Sequence, residues 1–593
     1  MIRVADYVIQ FLKEKGIDHI FTVTGRGILY LTDALAKSCM ESISVHHEQA
    51  AAYAAYGYAQ ARNDLGACLV STGCAATNAI TGVLCAWQDA VPCIFISGQN
   101  SLQETSRYTG IPIRTYGSQE ADLIPVVESI TKYAVMITDP KEIACELEKA
   151  VWLAMSGRKG PVWIDVPFDV QNMRIEPELL KHFEPEQGEI PCASEEDMTY
   201  VGELLEKASR PVLLVGSGVR SAGAEMVLRE FLNKYPVPVV FAPSAVDVYG
   251  AGECYGIGSV GSMGGSRAGN FAVQNSDLLL VLGHRLSSMT TGNQFEKFAR
   301  EAKVLVVDVD PVEHSKKMIP MHRLILSDVK VVLQQLIDRD LEVECRDWMD
   351  KCLHWKKVFP KCEDRHREKE QVDLHNLADT VGKFMEKRAQ IVTDAGFEEL
   401  IVPSVLELSL GQRCIHPFSQ GAMGFSLSAA MGACIATGDQ TISVNGDGSI
   451  MMNLQELWTI HHAHVPVKVI VANNNCYAVI RKRQKDLFRT RTIGTDDSNG
   501  VCCPSFQKVA DSFEIPYVRV NSSEELEEKI AMVLQMEGPV ICEVMCVEEQ
   551  EYLHSSFTRG QAGRIVRPPL EDQSPFMDRE LFLKEMVIEP IDL

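Results

Sequence analysis

Gly446-Asp447-Gly448 closes one apolar run and Asn473-Asn474-Asn475 closes the next, with 24 residues between Gly448 and Asn473. The runs Thr441 to Val444 and Pro466 to Ala472 read as buried strands. Between them, Ile450 to His462 reads as a helix with Met451, Leu454, Leu457 and Trp458 on one face. Strand, helix and strand in that order form a right-handed crossover, so the carboxyl ends of two parallel strands emerge on the same side of a sheet. A carboxylate and a carboxamide therefore meet there. Two glycines allow the backbone to approach a ligand closely, and oxygen donors of this kind suit a hard cation such as Mg²⁺ that bridges to phosphate oxygens. Taken alone, Asp447 also reads as a turn residue that caps the following helix.

The chain of 593 residues is too long for one core, and at about 150 residues per domain it holds roughly three or four. Apolar content of 46% and charged content of 23% are those of an ordinary globular protein. A net charge of -23 argues against a nucleic-acid partner. No apolar run is long enough to span a membrane, and the N-terminus lacks a basic stretch followed by an apolar core. Eighteen cysteines without a CxxC pair, among them Cys68, Cys74, Cys85 and Cys93 in apolar runs, read as buried free thiols of a reducing compartment. Zinc is not expected, and the localisation expected is cytoplasmic.

Helix and strand alternate from residue 1 to about 180: a helix over Val4 to Lys15, strands at Ile20 to Val23, Ile43 to His47, Ala67 to Ser71, Pro92 to Ser97 and Val162 to Val166. A polar stretch rich in Glu and Pro, Ile175 to Met198, reads as a linker. A second unit over 195–340 has strands at Val212 to Val215, Val237 to Phe241, Leu278 to Leu282 and Val304 to Val307, and a third spans 370–550. The charged segment Asp338 to Glu370 carries the chain between them, and the tail 551–593 is expected to wrap over another surface. The first and third units echo each other. Leu69-Val70 leads to Gly73, a helix, Pro92 and a strand, and Ile442 to Val444 leads to Gly446, a helix, Pro466 and a strand. Two similar folds flanking a different middle one would follow.

The paired motifs resemble the cofactor signature of thiamine diphosphate enzymes, and Gly446-Asp-Gly-Ser-Ile-Met-Met-Asn-Leu-Gln-Glu-Leu457 is similar to the acetolactate synthase branch. The resemblance covers nearly the whole chain. It implies an α/β protein of three doubly wound parallel-sheet domains, in the order pyrimidine-binding (1–180), central (195–340) and diphosphate-binding (370–550). It further implies that Asp447 and Asn474 supply side-chain ligands to Mg²⁺ and the carbonyl of Cys476 a third, with Gly446, Gly448, Ser449, Tyr477 and Ala478 around the diphosphate. Glu48, in Ser44-Val-His-His-Glu48, matches the glutamate that bonds the cofactor's pyrimidine nitrogen and promotes proton removal at C2. Enclosed by Ala and Tyr, its carboxyl is expected to have a raised pKa; read alone it is a favourable charge at a helix N-terminus. Met423, in Gly421-Ala-Met423, matches the apolar residue that supports the bent cofactor. Gly25, Gly73 and Gly421 mark turns near the site, and Gln119 matches a glutamine beside the reacting centre. His46 and His47 read as proton shuttles or as satisfied histidines.

The pattern departs from that branch at the acceptor pocket. Its usual tryptophan falls in Arg481-Lys-Arg483, which reads as solvated surface or, facing the entrance, as a preference for an anionic or sugar-linked acceptor. The insertion Ser106 to Arg114 points the same way, because loops at active-site mouths set specificity. Several relatives hold a non-redox FAD. Gly216-Ser-Gly-Val-Arg220, Gly283-His-Arg285 and Asp308-Val-Asp310 are compatible with one, whereas Glu128 stands where an arginine contacts the flavin. The leading reading is a 2-oxo-acid decarboxylase and carboligase acting as a homodimer or homotetramer, with Glu48 and Asp447 of one site on different subunits. The alternatives are a non-ligating decarboxylase, a flavin oxidase and a non-catalytic cofactor-binding subunit.

Overall fold

A computed structural model describes residues 1–185, 192–316, 318–559 and 565–591. Three parallel sheets of six strands follow one another along the chain. The first contains β1 (His19–Thr22), β2 (Glu41–Ser44), β3 (Gly66–Val70), β4 (Cys93–Gln99), β5 (Tyr133–Met136) and β6 (Val162–Pro167), in the spatial order β2-β1-β3-β4-β6-β5. The central sheet contains β7 (Pro211–Val215), β8 (Val239–Phe241), β9 (Gly256–Ser259), β10 (Leu278–Leu282), β11 (Lys303–Asp308) and β12 (Arg323–Leu326), in the order β9-β8-β7-β10-β11-β12. The third contains β13 (Gln390–Thr393), β14 (Arg413–Ile415), β15 (Thr441–Gly446), β16 (Lys468–Asn473), β17 (Tyr517–Val520) and β18 (Val540–Met545), in the order β14-β13-β15-β16-β18-β17. Ranked along the chain, the first and third sheets share one strand order and the central sheet has another. The echo between Gly73 to Pro92 and Gly446 to Pro466 is thus the trace of two sheets with one topology. Interior strands such as β7 and β10 are buried on both faces, which is why they read as unbroken apolar runs.

Several expectations differ from the structure. Ile450 to His462 is not one helix: a 3₁₀ turn over Ile450–Met452 precedes a short helix over Glu456–His462. Asn453 lies between them and donates its side-chain amide to the Gly424 carbonyl, and this local bond competes with a continuous helix. Leu457 is buried, but Met451 and Trp458 are exposed and Glu456 is fully buried. The stretch read as a linker ends early, because Ser194 and Asp197 form a capping box that starts a helix over Glu195–Lys207; residues 186–191 lie outside the described ones. Cys74 is exposed, because it opens a short helix at a strand end, whereas Cys68, Cys85 and Cys93 are buried. The edge strands β5 and β12 are not anticipated: each is four residues long and only partly buried, Tyr-Ala-Val-Met in one and Arg-Leu-Ile-Leu in the other. The tail lies on the central domain, where Asn270 and Gln274 donate to Gln573 and Glu571 at 3.1 and 2.7 Å.

The first and third domains are joined by α1 (Glu48–Arg62) and α2 (Phe425–Thr437). Ala50 to Ala59 is buried without interruption, so α1 is enclosed on every side. A side chain at Gly57 would meet the Ala429 carbonyl at 2.0 Å, and one at Gly432 would meet the Ala54 carbonyl at 1.9 Å. The two backbones approach so closely only because each helix presents a glycine to the other. Tyr53 and Tyr56 pack edge-on against Phe425 beside this contact. The central domain is tied in by Asp247, whose carboxylate takes Arg220 and Arg413 at 2.9 Å each. Gly57→Ala or Gly432→Ala must push the helices apart, and either is expected to cost about 1–3 kcal/mol. Urea unfolding followed by tryptophan fluorescence should show the lowered midpoint; an unchanged midpoint would contradict the contact.

Candidate functional site

The carboxyl ends of β15 and β16 lie side by side, with Gly446 in register with Ala472. Asp447 follows immediately, and its N–H donates to the Ala472 carbonyl at 3.3 Å. Of its two carboxylate oxygens only one is hydrogen-bonded among the described residues. Oδ1 takes the Gly448 N–H at 2.8 Å, while Oδ2 is buried and has no partner among the described residues. Burial pushes this carboxyl up to about 6. The three asparagines divide their work. Asn473 donates to Glu543 at 2.6 Å within the sheet, Asn474 accepts the Cys476 N–H at 3.2 Å in the turn beside Asp447, and Asn475 takes a left-handed φ of 55°. The Cys476 carbonyl accepts from Ala478 N–H at 2.9 Å, where the following helix α3 (Ala478–Phe488) begins.

Gly448 must be a glycine, because a side chain there would lie 1.8 Å from the Tyr477 ring. Ser449 is buried and donates to the Ala395 carbonyl at 3.2 Å. Asp394, just past β13, accepts the N–H groups of Gly424 and Ser426 at 3.0 Å each and so anchors the turn that follows Met423 at the start of α2. Met423 itself is half-buried, and Gly421, at φ 56°, faces the Glu399 carboxylate. Glu398 lies beside Gly446 and is pushed up to about 8, mainly by burial and then by the charges of Asp447 and Asp394. Asp394, Glu398 and Glu399 escaped the sequence reading, although Thr393-Asp394-Ala-Gly396 repeats the grammar of an apolar strand closed by Asp and Gly. A cation at the unpaired Asp447 oxygen would offset this concentration of buried acids.

A second group gathers at the ends of β1 and β3. A side chain at Gly25 would meet Ser71 Oγ at 2.4 Å, and one at Gly73 would meet the Gln119 carbonyl at 2.2 Å. Gln119 is exposed and, at φ 64°, left-handed. Glu48 opens α1, and Asn78 Nδ2 donates to its Oε2 at 2.9 Å. Its carboxyl is half-exposed and not enclosed by the alanines and tyrosines, because those side chains belong to later turns of the helix that pack against α2. His47 accepts the Gln49 N–H as the helix cap, and the exposed His46 bonds Thr459 at 3.0 Å. Gln49 bonds Asn453 at 3.2 Å and His46 N–H bonds Glu456 at 3.1 Å, which links the two groups. No hydrogen bond or ion pair joins Glu48 to Asp447 among the described residues.

Of the cationic stretch, Arg481 pairs with Glu548 and lies 3.6 Å from Asp496, and Lys482 lies 3.6 Å from Asp486. Arg483 meets only the Met263 thioether among the described residues. A separate cavity of about 490 Å³ opens at the ends of the central strands, where Ser217, Gly218, Gly283, Arg285 and Asp308 face Lys159 of the first domain. Asp310 pairs at 3.0 Å with Arg158, which also lines the cavity. Arg285 and Lys159 have no carboxylate partner among the described residues, and Glu128 does not line the cavity.

Comparisons with known proteins agree with this arrangement. Residues 2–125 match the N-terminal TPP binding domain of thiamine pyrophosphate enzymes, 198–336 their central domain and 394–544 their C-terminal TPP binding domain. The acetolactate synthase large subunit of Haemophilus influenzae is 29% identical over 588 residues, covering 96% of this chain and 99% of that protein. The large subunit of Buchnera aphidicola subsp. Schizaphis graminum is 30% identical, covering 94% and 96%. Acetolactate synthase 1, chloroplastic, of Zea mays is 30% identical, covering 94% and 87%. With three α/β domains in the family's order and the paired strand-end motifs in the third, the chain belongs to the thiamine pyrophosphate enzymes and resembles their acetolactate synthases.

Proposed function

We propose that the protein is a Mg²⁺-dependent decarboxylase and carboligase of 2-oxo acids such as pyruvate. The observation that carries this reading is the buried Oδ2 of Asp447, without a partner among the described residues, beside Asn474. Asp447, Asn474 and the Cys476 carbonyl are all oxygen donors, the set a Mg²⁺ ion held against phosphate requires. Gly446 and Gly448 leave the backbone open to the diphosphate, with Ser449, Tyr477 and Ala478 around it. Thiamine diphosphate, when bound, supplies the nucleophilic carbon and holds the electrons released with CO₂.

The chain's own groups position that chemistry. Glu48, held by Asn78 through one oxygen, has no partner on the other among the described residues, which leaves that oxygen to bond the pyrimidine and exchange a proton with it. Met423 would support the bent cofactor, with Gly25, Gly73 and Gly421 shaping the surrounding turns and Gln119 facing the reacting centre. Overall, a 2-oxo acid, a carbonyl acceptor and a proton give CO₂ and a hydroxy ketone. Arg483 favours an anionic or sugar-linked acceptor, since it is the cation of its stretch without a carboxylate partner among the described residues. The cavity on the central domain has the size of a ligand site, and Arg285 and Lys159, which have no carboxylate partner among the described residues, suit the diphosphate of a non-redox FAD. A second copy of the chain completes the site in this reading. Glu48 is half-exposed, and the exposed Met451, Met452 and Trp458 flank Asn453, which bonds the residue next to it. Eighteen free cysteines accord with a cytoplasmic setting.

Asp447→Asn should weaken Mn²⁺ binding in the presence of thiamine diphosphate at least about tenfold, measured by electron paramagnetic resonance; wild-type affinity would contradict the metal assignment. Glu48→Gln should keep cofactor affinity and lower turnover of pyruvate by about 10²–10⁴-fold, read as CO₂ release. Unchanged turnover would remove Glu48 from the mechanism. Product analysis with aldehyde, keto-acid and sugar-phosphate acceptors separates the readings: a C–C product supports ligation, and free aldehyde alone supports simple decarboxylation.

A further inference from the structure

Glu120 is a buried carboxylate, 6% exposed, that no cation pairs with among the described residues. Its Oε1 accepts the Ser106 N–H at 3.0 Å and the Ser106 hydroxyl at 2.7 Å, and its Oε2 accepts the Tyr116 N–H at 2.9 Å. One side chain thus closes both ends of the loop from Ser106 to Tyr116. That loop presents Tyr108, Ile111, Ile113 and Tyr116 to solvent, each 44–46% exposed. Large apolar side chains on a loop lose water only when something covers them or binds between them, so a fixed base makes such a loop a defined wall and not a disordered fringe.

The same residue follows Gln119, whose left-handed backbone is costly for a non-glycine and persists only where neighbours over-determine it. The neighbours are identifiable. Asn100 donates to the Ser118 carbonyl at 2.9 Å, and Gln99 donates to the Ala121 carbonyl at 2.8 Å while bonding buried Asp165 at 3.2 Å. Gly73 leaves room for the Gln119 carbonyl itself. The Ser118 carbonyl before Gln119-Glu120 and the Ala121 carbonyl after it are therefore pinned to the end of β4, and Glu120 ties that fixed geometry to the loop.

We propose that Glu120 is a positioning residue, a clasp that locks the Ser106–Tyr116 loop and Gln119 into one rigid wall on the substrate side of the site. The role of the wall rests on the function proposed above; the clasp itself does not. Glu120→Ala removes both arms, and Glu120→Gln keeps the acceptor for one arm and loses it for the other, so the effects should be graded. Limited trypsin digestion reads the loop directly, since Arg107 and Arg114 lie within it. Cleavage there should be fastest in E120A, intermediate in E120Q and slowest in the wild type. In the holoenzyme the KM for pyruvate should rise about tenfold in E120A, by more than kcat falls, with the affinity for thiamine diphosphate and Mg²⁺ unchanged. Gln119→Ala should raise KM without opening the loop, and the double variant should be no worse than the worse single one.

Equal cleavage rates in the three proteins would overturn the clasp. Faster cleavage with unchanged KM, or with cofactor affinity lost in step, would overturn the positioning role and leave a structural one. If E120A does not fold, E120Q carries both readouts. If the wild type neither binds thiamine diphosphate nor releases CO₂ from pyruvate, the proposed function falls, while the cleavage comparison still decides the clasp.

Discussion

The contact between α1 and α2 is the constraint on which the arrangement depends. Gly57 and Gly432 let two helix backbones from domains nearly four hundred residues apart meet at carbonyl distance. That closeness sets the position of Glu48 at the head of one helix and of the Asp394-anchored turn at the head of the other. Neither helix is amphipathic in the ordinary sense, since each buries most of its circumference. Small residues are therefore required on more than one face, which explains the alanine-rich composition of both. The buried Arg220–Asp247–Arg413 cluster then fixes the central domain against this pair.

The chemistry sits where the fold leaves backbone groups without ladder partners, at the carboxyl ends of parallel strands. Two such ends, those of β15 and β16, bring Asp447 and Asn474 together, and a third, that of β13, adds Asp394. The result is a concentration of carboxyls that burial makes unfavourable as anions. A fold does not keep such groups for stability. Oxygen donors held out of water and only partly satisfied suit a cation and its anionic ligand, which is the role proposed for them.

Much of this was legible in the chain. The spacing of Gly446-Asp-Gly448 and the asparagines placed two strand ends side by side, and the echo between Gly73 and Gly446 anticipated two sheets with one strand order. What escaped lacked a periodic or compositional mark. Edge strands such as β5 and β12 are four residues long and only partly buried, too short to stand out from the segments around them. Asn453 broke the expected helix through a bond to Gly424, a partner 29 residues away that no local pattern reports. The exposure of Glu48 depends on where along α1 the contact with α2 begins, and the clasp at Glu120 depends on loop ends that meet only in three dimensions. Long-range hydrogen bonds are invisible to a reading based on neighbours in sequence.

The central claim is that the Asp447–Asn474 corner anchors thiamine diphosphate through a divalent cation. Calorimetric titration of thiamine diphosphate into metal-free protein, with and without Mg²⁺, tests it most directly. Saturable binding that requires Mg²⁺, at one site per chain, is the predicted result. No binding in either condition, or binding indifferent to Mg²⁺, would contradict the account.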